Sequence, residues 1–365
     1  MSLKCGIVGL PNVGKSTLFN CLSNAKAQSA NFPFCTIEPN IGTISVPDPR
    51  LEKLESLVNP ERVVPATMEI VDIAGLVKGA SKGEGLGNQF LANIRETDAI
   101  LHVLRCFDDG NIVHVDGSVN PIRDKEIIDI ELQLKDLETI DKKIQSLARI
   151  IKSGDKDALK ENELALKIKE GLAQSISVRG LGFSAEEMAI IKRFNLITSK
   201  PVMYVCNVDE ASVLSGNAYV DQVRAAVANE HAEVLIIGAK IEADITELDT
   251  YEERKMFLDE LGLEEPGVNR LIRSAYALLN LQTYFLAGVK EVRAWTIHKG
   301  STAPQAAGVI HSDFEKGFIR AEVMKYNDYV NYGTETAVKE AGKFKVEGKE
   351  YVVADGDIMH FRFNV

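Results

Sequence analysis

Residues 9–17, Gly-Leu-Pro-Asn-Val-Gly-Lys-Ser-Thr, restrict the possible folds of this chain more than any other stretch, because they fit the phosphate-binding pattern G-x-x-x-x-G-K-[ST]. The apolar residues 3–8 before them predict a buried parallel strand, and residues 18–22 after them predict a helix. Glycines at both ends of such a loop let successive backbone N–H groups face an anion at the positive end of that helix. The stretch therefore predicts a nucleoside triphosphate site on an α/β sheet.

Each position of this loop has a predicted role. Lys15 is expected to reach the β- and γ-phosphates, so it is a candidate for both binding and catalysis. Ser16 is expected to offer its hydroxyl to Mg²⁺, and Thr17 to donate to the α-phosphate. The other predicted nucleotide-binding positions of the loop are Asn12, Val13 and Gly14.

Two further segments carry the pattern of a nucleotide-dependent switch. Residues 67–75 predict a strand that runs into Asp-x-x-Gly, where Asp72 would hold Mg²⁺ through a water and the N–H of Gly75 would contact the γ-phosphate. The glycine-rich residues that follow, up to 87, predict a second switch segment. Thr36, in the loop 31–40, is the candidate for another Mg²⁺ ligand, although its position alone also fits an ordinary loop residue.

The base of the nucleotide is expected to meet two loops that follow later strands. The apolar residues 201–206 predict a parallel strand that ends in Asn207, Val208, Asp209 and Glu210. Another predicted strand begins at residue 233 and ends in Gly238, Ala239 and Lys240. Loops at the carboxyl ends of parallel strands meet at one edge of the sheet, so both loops are predicted to lie beside the phosphate loop.

The distance between Asp72 and Asn207 is too long for a minimal switch domain, which predicts an insertion. Apolar residues between 124 and 176 recur with heptad spacing and predict an antiparallel helical arm; the alternative is two ordinary helices packed on the body. The predicted seam consists of Ile127, Ile130, Leu134, Leu137, Ile144 and Ile151. After a connecting helix at 266–281, strands at 292–297 and 317–321 and a hairpin at 351–361 predict a small α+β domain.

These patterns predict the fold class α/β: a Ras-like P-loop domain with a mostly parallel sheet, an inserted helical arm and a small C-terminal domain. The predicted boundaries are 1–123 and 200–280 for the nucleotide-binding domain, 124–199 for the arm and 281–365 for the C-terminal domain. The length of 365 residues agrees with more than one domain.

Composition narrows the functional classes. The sequence has no apolar run of membrane-spanning length and no leader pattern before the first predicted strand, so we expect a cytoplasmic protein without membrane contact. Five dispersed cysteines predict reduced thiols. The net charge is −11, yet residues 121–200 hold 15 Lys and Arg against 14 Asp and Glu, and residues 281–365 hold 11 of each. The arm and the C-terminal domain therefore remain candidates for contact with RNA.

The chain resembles the Obg-like ATPases from Lys4 to Val365. The resemblance rests on residues 9–17, Asn-Phe-Pro-Phe-Cys-Thr-Ile-Glu-Pro-Asn at 31–40, Asp-Ile-Ala-Gly-Leu-Val at 72–77, Asn-Val-Asp-Glu at 207–210 and Val-Arg-Ala-Trp-Thr-Ile at 292–297. It implies a coiled-coil arm, a C-terminal TGS domain with the β-grasp fold, association with ribosomes, and ATP hydrolysis. It also implies that Thr36 is a switch ligand. We expect a monomer.

Two departures from guanine-specific domains have physical consequences. Those domains carry Asn-Lys-x-Asp, whose carboxylate takes two N–H groups of guanine, whereas Val208 and Glu210 stand at the Lys and Asp positions here. Loss of a charge-assisted pair of hydrogen bonds costs roughly 3 kcal/mol, which favours ATP, with Asn207 expected to pair with the adenine edge. Leu76 replaces the Gln that orients water in many GTPases.

The resemblance points to His114 as the group that acts in place of that Gln, although a lone loop histidine is usually structural. Asn12 matches the residue that binds K⁺ in some related enzymes, so K⁺ is a possible second cofactor beside Mg²⁺. The leading hypothesis is a slow ATP-hydrolysing switch that docks on the ribosome or RNA. The alternatives are a GTPase with relaxed base recognition and a non-catalytic nucleotide sensor.

Overall fold

The computed structural model describes residues 3–24, 41–73, 86–112, 117–230 and 232–364, and the chain divides into two compact units. The first unit comprises Met1–Thr43 and Glu69–Leu271, and the second comprises Ile44–Met68 and Ile272–Val365. This division differs from the predicted segments, because the helical arm is part of the first unit. Residues 44–68, which the sequence places in the nucleotide-binding domain, belong to the second.

The strands of the described residues form two six-stranded sheets. In chain order they are β1 (Lys4–Val8), β2 (Ile41–Ser45), β3 (Val63–Val64), β4 (Thr67–Asp72), β5 (Ala99–Arg105), β6 (Val202–Asn207), β7 (Val234–Ile237), β8 (Leu281–Ala287), β9 (Val292–His298), β10 (Phe318–Met324), β11 (Lys345–Glu347) and β12 (Ile358–Phe363). The order of the first sheet is β2-β4-β1-β5-β6-β7, and that of the second is β11-β10-β12-β8-β9-β3.

Helices connect and cover these strands. They are α1 (Lys15–Asn24), α2 (Pro49–Val58), α3 (Leu86–Arg95), α4 (Pro121–Ile151), α5 (Lys156–Ala173), α6 (Ala185–Ile191), α7 (Ala218–Ala226), α8 (Ala239–Glu247), α9 (Tyr251–Glu260), α10 (Gly267–Leu278), α11 (Ala303–Ile310), α12 (Ser312–Lys316), α13 (Tyr326–Tyr332) and α14 (Glu335–Glu340). Local sequence sets several starts: Asp48 and Asn120 accept backbone N–H groups as N-caps before a proline. Among the described residues, no helix has the length and apolar character needed to cross a membrane.

The first sheet confirms the predicted α/β fold. Strand β1 pairs in parallel with β4 and β5, and β5, β6 and β7 continue the parallel order. Every residue of β5 and β6 is buried, as continuous apolar strands predict for a sheet covered on both faces. The carboxyl ends of β1, β4, β6 and β7 therefore meet at one edge, which carries the candidate site. The cysteines of the described residues are free and buried: Cys5, Cys21, Cys106 and Cys206.

The second sheet has the β-grasp arrangement. Strands β8 and β9 form an antiparallel hairpin, β12 lies parallel to β8, and β10 pairs antiparallel with β12 and β11. Helix α11 packs on one face, with Tyr284, Ala306 and Met359 in the shared core. The hairpin predicted at 351–361 is wrong: the strand begins at Ile358, and its antiparallel partner is β10. Strand β8, which follows the predicted connecting helix, was not expected from the sequence.

Residues 44–68 join the second unit through both backbone and side chains. Val63 and Val64 of β3 pair in parallel with the start of β9. Arg62 forms an ion pair with Glu291. Arg50 of α2 donates to Asp355 over 2.7 Å, and its guanidinium lies over the ring of Phe285. This segment is therefore part of the β-grasp unit even though it begins at the end of β2 and ends at the start of β4.

Helices α4 and α5 form the predicted antiparallel pair in the first unit. Ion pairs link them along their length, with Lys143 2.8 Å from Glu161 and Lys169 2.7 Å from Asp141. Their apolar contact centres on Ile140 and extends to residues that follow α5; its buried members are Leu164, Ala165, Ile168, Leu172, Val178, Ile191, Phe194 and Leu196. The distal half of α4 therefore packs against α5 and the residues that follow α5, and these segments together form the helical arm.

The predicted heptad seam is correct only in part. Ile130 and Leu134 are 48% and 37% exposed, whereas Ile128 and Leu132 are buried. The proximal half of α4 packs against β5 and α7 of the body and not against a coiled-coil partner. Its buried residues therefore recur every 3.6 residues, as in a straight helix, and not every 3.5 residues as in a heptad. That stripe also contains charged residues such as Asp136, which a hydrophobic pattern does not count.

These buried charges are paired. Lys125 Nζ lies 2.6 Å from Asp129 and 2.8 Å from Glu230, and the hydroxyl of Tyr204 donates to the same glutamate over 2.7 Å. The Asp136 carboxylate accepts three hydrogen bonds, from the N–H groups of Ile197 and Thr198 and from the Thr198 hydroxyl. We call Lys125, Asp129, Arg179, Tyr204 and Glu230 the arm-base cluster.

Candidate functional site

The loop between β1 and α1 has the backbone geometry that its glycines predict. Asn12 and Gly14 have φ values of 63° and 100°, in the left-handed region that favours Asn and Gly. A Cβ at Gly14 would lie 2.4 Å from the side-chain nitrogen of Asn207, and one at Gly9 would lie 2.6 Å from the carbonyl oxygen of Val103. Both glycines are therefore needed for close approach, and Gly14 is also needed for its backbone conformation.

The surroundings of Lys15 favour the binding of an anion. Its side chain is only 7% exposed, and Nζ donates to the carbonyl oxygen of Leu10 over 2.9 Å. Burial lowers the pKa of its ammonium group, and the nearby Asp72 offsets only part of that effect. A buried cation without a full counter-charge is stabilised when a phosphate supplies one.

Asp72 lies at the end of β4, beside Ile7 of β1 in the parallel register. Its Oδ1 atom is buried and has no hydrogen-bond partner in the described part of the chain. Burial raises the pKa of its carboxyl, while Lys15 and a hydrogen bond from Ser16 lower it by less. A hydroxyl beside a carboxylate with an unused oxygen suits Mg²⁺, which prefers oxygen ligands. These residues therefore fit the predicted metal.

Asn207 joins two loops of the site. Its Nδ2 donates to the carbonyl oxygen of Val13, its Oδ1 accepts from the N–H of Ala239, and both distances are 2.9 Å. The side chain is 3% exposed. Since both ends of the amide are used inside the protein, the geometry does not support the expectation that Asn207 pairs with adenine. It fastens the phosphate loop to the start of α8.

The remaining predicted base-contacting residues surround this link. Val208 is 4% exposed and donates its N–H to the carbonyl oxygen of Ile237 over 2.9 Å. Glu210 is exposed at the start of a single helical turn whose N-cap is Asp209. Gly238 is the N-cap of α8, with Ala239 buried and Lys240 exposed. The structure therefore brings the loops after β6 and β7 to the phosphate loop, as predicted.

Three predicted positions lie outside the described residues: Thr36, Gly75 and His114. The segment just before His114 is nevertheless well organised by Arg105, a residue that sequence reasoning missed. Arg105 is 1% exposed, and its guanidinium donates to the carbonyl oxygens of Phe107, Asp109 and Ile112 over 3.0–3.2 Å. An arginine at the end of a mostly apolar strand was the available signal for a buried side chain that holds the following loop.

Glu242 of α8 is a second missed residue. It is 2% exposed, and its carboxylate accepts from the N–H groups of Gly267 and Val268, at the start of α10. Burial raises the pKa of this carboxyl despite both bonds. Its role is to place α8, whose first residue Ala239 is held by Asn207.

A strand, a glycine loop holding a buried lysine, a hydroxyl at the start of a helix and an aspartate on the neighbouring parallel strand define a P-loop nucleoside triphosphatase. Comparisons with known proteins agree. Residues 4–151 match the family model described as "50S ribosome-binding GTPase". Residues 281–364 match the model of the YchF GTPase C-terminal domain, described as a protein of unknown function.

The similarity to individual proteins covers the full length. The chain is 59% identical over 365 residues to the "Ribosome-binding ATPase YchF" of Escherichia coli O157:H7 and 55% identical over 367 residues to that of Bacillus subtilis, with 100% of each chain covered. The structure of the Schizosaccharomyces pombe YchF GTPase matches 99% of this chain and 98% of its own, with a TM-score of 0.89 and 40% identity. The chain belongs to the YchF family.

Proposed function

We propose that this protein is a nucleoside triphosphatase that binds ATP, hydrolyses it and changes its association with ribosomes according to the bound nucleotide. The arrangement of Lys15, Ser16 and Asp72 is the observation that carries the chemistry, because the buried Lys15 ammonium lacks a full counter-charge and the half-buried Asp72 carboxylate has a buried oxygen without a hydrogen-bond partner in the described residues. The relatives named as ribosome-binding ATPases support the partner. A working location in the cytoplasm and a monomeric state belong to the same proposal.

Different residues of the site are proposed to bind the phosphates and the metal ions. The backbone N–H groups of the loop that includes Asn12, Val13 and Gly14 face the phosphates, and Lys15 neutralises the β- and γ-phosphates. Thr17 is proposed to donate to the α-phosphate. Ser16, Asp72 and Thr36 would hold Mg²⁺, which neutralises charge on the β- and γ-phosphates when bound. Asn12 is the candidate for K⁺.

For hydrolysis we propose that His114 orients or deprotonates the attacking water and that the N–H of Gly75 contacts the γ-phosphate. Arg105 is a positioning residue for His114, since its three bonds to residues 107–112 fix the chain that leads into the histidine. The proposal predicts slower phosphate release in His114→Ala at unchanged ATP affinity. An equal release rate in the two proteins would remove His114 from the mechanism.

The choice of ATP over GTP rests on the residues after Asn207. Glu210 replaces the shorter carboxylate that guanine needs, and Val208 is buried, so it cannot cover a base as a lysine stem would. Titration with ATP and with GTP, at fixed Mg²⁺, tests this directly. Glu210→Asp combined with Val208→Lys should raise GTP affinity relative to ATP by about tenfold. An unchanged ratio would place base selectivity in the backbone near Gly238, Ala239 and Lys240.

Ribosome docking is proposed to use basic side chains of the distal arm and of the C-terminal unit. Deletion of residues 124–176 is not a clean test, because the proximal half of α4 is buried in the body. Reversing the charge of Lys142, Arg149, Lys152 and Lys156, which are exposed, leaves that core intact. Co-sedimentation with ribosomes across a salt series should show weaker binding and a shallower salt dependence for this variant. Identical pelleting of variant and wild type at every salt concentration would exclude the arm.

Phosphate release in the presence of ribosomes separates this proposal from its alternatives. An enzyme that prefers ATP releases phosphate from ATP faster than from GTP. A GTPase with relaxed recognition shows the reverse order or no preference. A nucleotide sensor without catalysis binds ATP but releases no phosphate beyond the background.

A further inference from the structure

Strand β12 loses one of its two neighbours partway along its length. It pairs with β10 from Ile358 to Phe363, but with β8 only where Ile358 meets Phe285. Beyond that point no strand of the described residues pairs with β12 on the β8 side. A cavity of about 680 Å³ lies in this gap, with residues of both strands in its lining. Its volume is typical of sites that bind small molecules.

The gap leaves one acceptor and one donor of the β12 backbone free. Alternate residues of a strand direct their N–H and C=O groups to opposite neighbours. The bridge to β8 uses the N–H of Met359 and the C=O of Asp357, which accepts from the N–H of Phe285 over 2.8 Å. The next groups on that side are the C=O of Met359 and the N–H of Phe361, and neither has a partner in the described part of the chain. Both residues line the cavity.

This pair of groups suits a ring better than an extended chain. A C=O and the N–H two residues further along the same strand edge can bond to a donor and an acceptor on neighbouring atoms of one flat ring. Phe363, whose N–H follows on the same side, does not line the cavity. An added strand would therefore gain only two backbone bonds here, whereas a compact ligand would gain the same two bonds and also fill the cavity.

The charges of the cavity lining are balanced within the protein. Each lining carboxylate has a cationic partner: Glu322 has Arg362, Glu335 has Lys339, and Glu291 has Arg62 and Arg293. The Arg362 guanidinium donates to both carboxylate oxygens of Glu322, over 3.0 and 3.1 Å. A charged ligand would have to break such a pair or be buried without a counter-charge, so the lining selects a neutral ligand.

Aromatic rings form the side of the cavity that faces α11. Tyr284 belongs to the core that α11 covers, and Trp295, Phe314 and Phe361 pack against that core. All four line the cavity. The rings of Tyr284 and Phe361 meet edge to face, with their centroids 5.8 Å apart. Rings in such a wall favour a flat conjugated ligand, which they can contact by stacking or by their edges.

We propose that the gap between β8 and β12 binds a neutral, flat heteroaromatic molecule that carries a hydrogen-bond donor next to an acceptor, as a lactam ring does. The donor bonds to the C=O of Met359, the acceptor receives the N–H of Phe361, and the ring lies against the aromatic wall. All residues of this site belong to the second unit, whereas Lys15 and Asp72 belong to the first. The proposal therefore does not depend on ATP hydrolysis.

A matched pair of probes tests the two backbone bonds. Carbostyril is a neutral bicyclic lactam with adjacent N–H and C=O groups, and N-methylcarbostyril has the same rings and carbonyl but no donor. Trp295 is the single tryptophan of the chain, so its indole N–H gives one signal in a proton–nitrogen correlation spectrum of the full-length protein. With the nucleotide site filled by ADP and Mg²⁺, carbostyril should shift this signal in a saturable manner. The methylated probe should bind about tenfold more weakly or worse, because its bond to Met359 is lost.

A pair of variants on α11 tests whether the ring occupies the cavity. Ile310 lines the cavity, whereas its neighbour Val309 is 46% exposed and does not. Ile310→Phe takes up room in the cavity and should weaken carbostyril about tenfold, and Val309→Phe should leave its affinity unchanged. Circular dichroism of both variants checks that the fold is retained, and the two probes test the wild-type protein in any case.

Three results would overturn the proposal. The first is the absence of a saturable shift of the indole signal up to the solubility limit of carbostyril. The second is equal affinity for carbostyril and its methylated derivative, which would exclude the bond to Met359. The third is tighter binding of a blocked, uncharged tetra-alanine peptide than of carbostyril, which would assign the gap to an added strand.

Discussion

Two lysines of the first unit are buried to almost the same degree, yet their surroundings act on their charges in opposite directions. Lys15 is 7% exposed, and burial lowers the pKa of its ammonium because Asp72 compensates only in part. Lys125 is 8% exposed; burial lowers its pKa too, but Asp129, Tyr204 and Glu230 together raise it by more. Lys15 therefore lies in a site that still needs a negatively charged ligand, whereas the charge of Lys125 is already balanced by residues of the protein.

The largest expected effect tests the completed cluster. Lys125→Ala removes the nearest cation of the half-buried Asp129 and Glu230 and leaves them only Arg179, 3.8 Å from each, which should lower the free energy of unfolding by about 3 kcal/mol. Urea denaturation measures the loss. The matched control on the same helix is Lys135→Ala, which breaks an exposed pair with Glu138 and should cost less than about 1 kcal/mol. Similar losses in the two variants would mean that the arm-base cluster contributes no more than a surface ion pair.

The second prediction concerns the incomplete site. Lys15→Ala should lower ATP affinity about a hundredfold, because a charge on the phosphates is removed, and should leave the free energy of unfolding almost unchanged. Isothermal titration and urea denaturation of the same preparation measure both quantities. Lys4→Ala is the control for affinity, because Lys4 lies on β1 and forms only a partly exposed ion pair with Glu69. A loss of stability as large as that in Lys125→Ala would show that Lys15 is structural.

Asn207 is an intermediate case, since it lies in the site but its amide is paired inside the protein. Asn207→Ala should lower both quantities, stability by about 1–2 kcal/mol and ATP affinity by about tenfold, because the phosphate loop loses its link to Ala239. The same two measurements apply. A loss of affinity without any loss of stability would indicate direct contact with the base instead.

The smallest effect is expected at the hydroxyl beside Asp72. Ser16→Ala should reduce ATP affinity less than tenfold, and only when Mg²⁺ is present, since the neutral hydroxyl contributes one of several metal ligands. Ser16→Thr keeps the hydroxyl and serves as the control. If Ser16→Ala and wild type show the same response to chelation of Mg²⁺, Ser16 is not a ligand.

The phosphate loop and the order of strands were predictable because their residues are fixed by local backbone demands. Gly14 cannot carry a side chain against Asn207, and continuous apolar strands have few alternative placements. The charged residues that complete the structure were not predictable in the same way. Arg105, Asp136 and Glu242 belong in solvent by residue type. The partners of Asp136 and Glu242 are backbone N–H groups 62 and 25 residues away, and those of Arg105 are carbonyl groups of the irregular loop that follows its strand.

The C-terminal unit shows the same limit for strands. Strand β8 contains Gln282 and Thr283, which are buried, so the sequence does not alternate in the way that a half-exposed strand predicts. The pairing of β12 with β10 rather than within a local hairpin depends on contacts between residues about 40 apart. Turn signals near Gly356 favoured the local alternative.

The placement of residues 44–68 in the second unit has a consequence for inheritance. The β-grasp unit is encoded in two pieces, and strand β3 and the buried Leu54 of α2 come from the first. A gene exchange could swap only residues 281–365 between two homologues. In the product, β9 and its partner Val63 would come from different parents, and so would Asp355 and its partner Arg50. The two units are therefore expected to be inherited together as one piece, and chimaeras joined at residue 280 should be less stable than either parent.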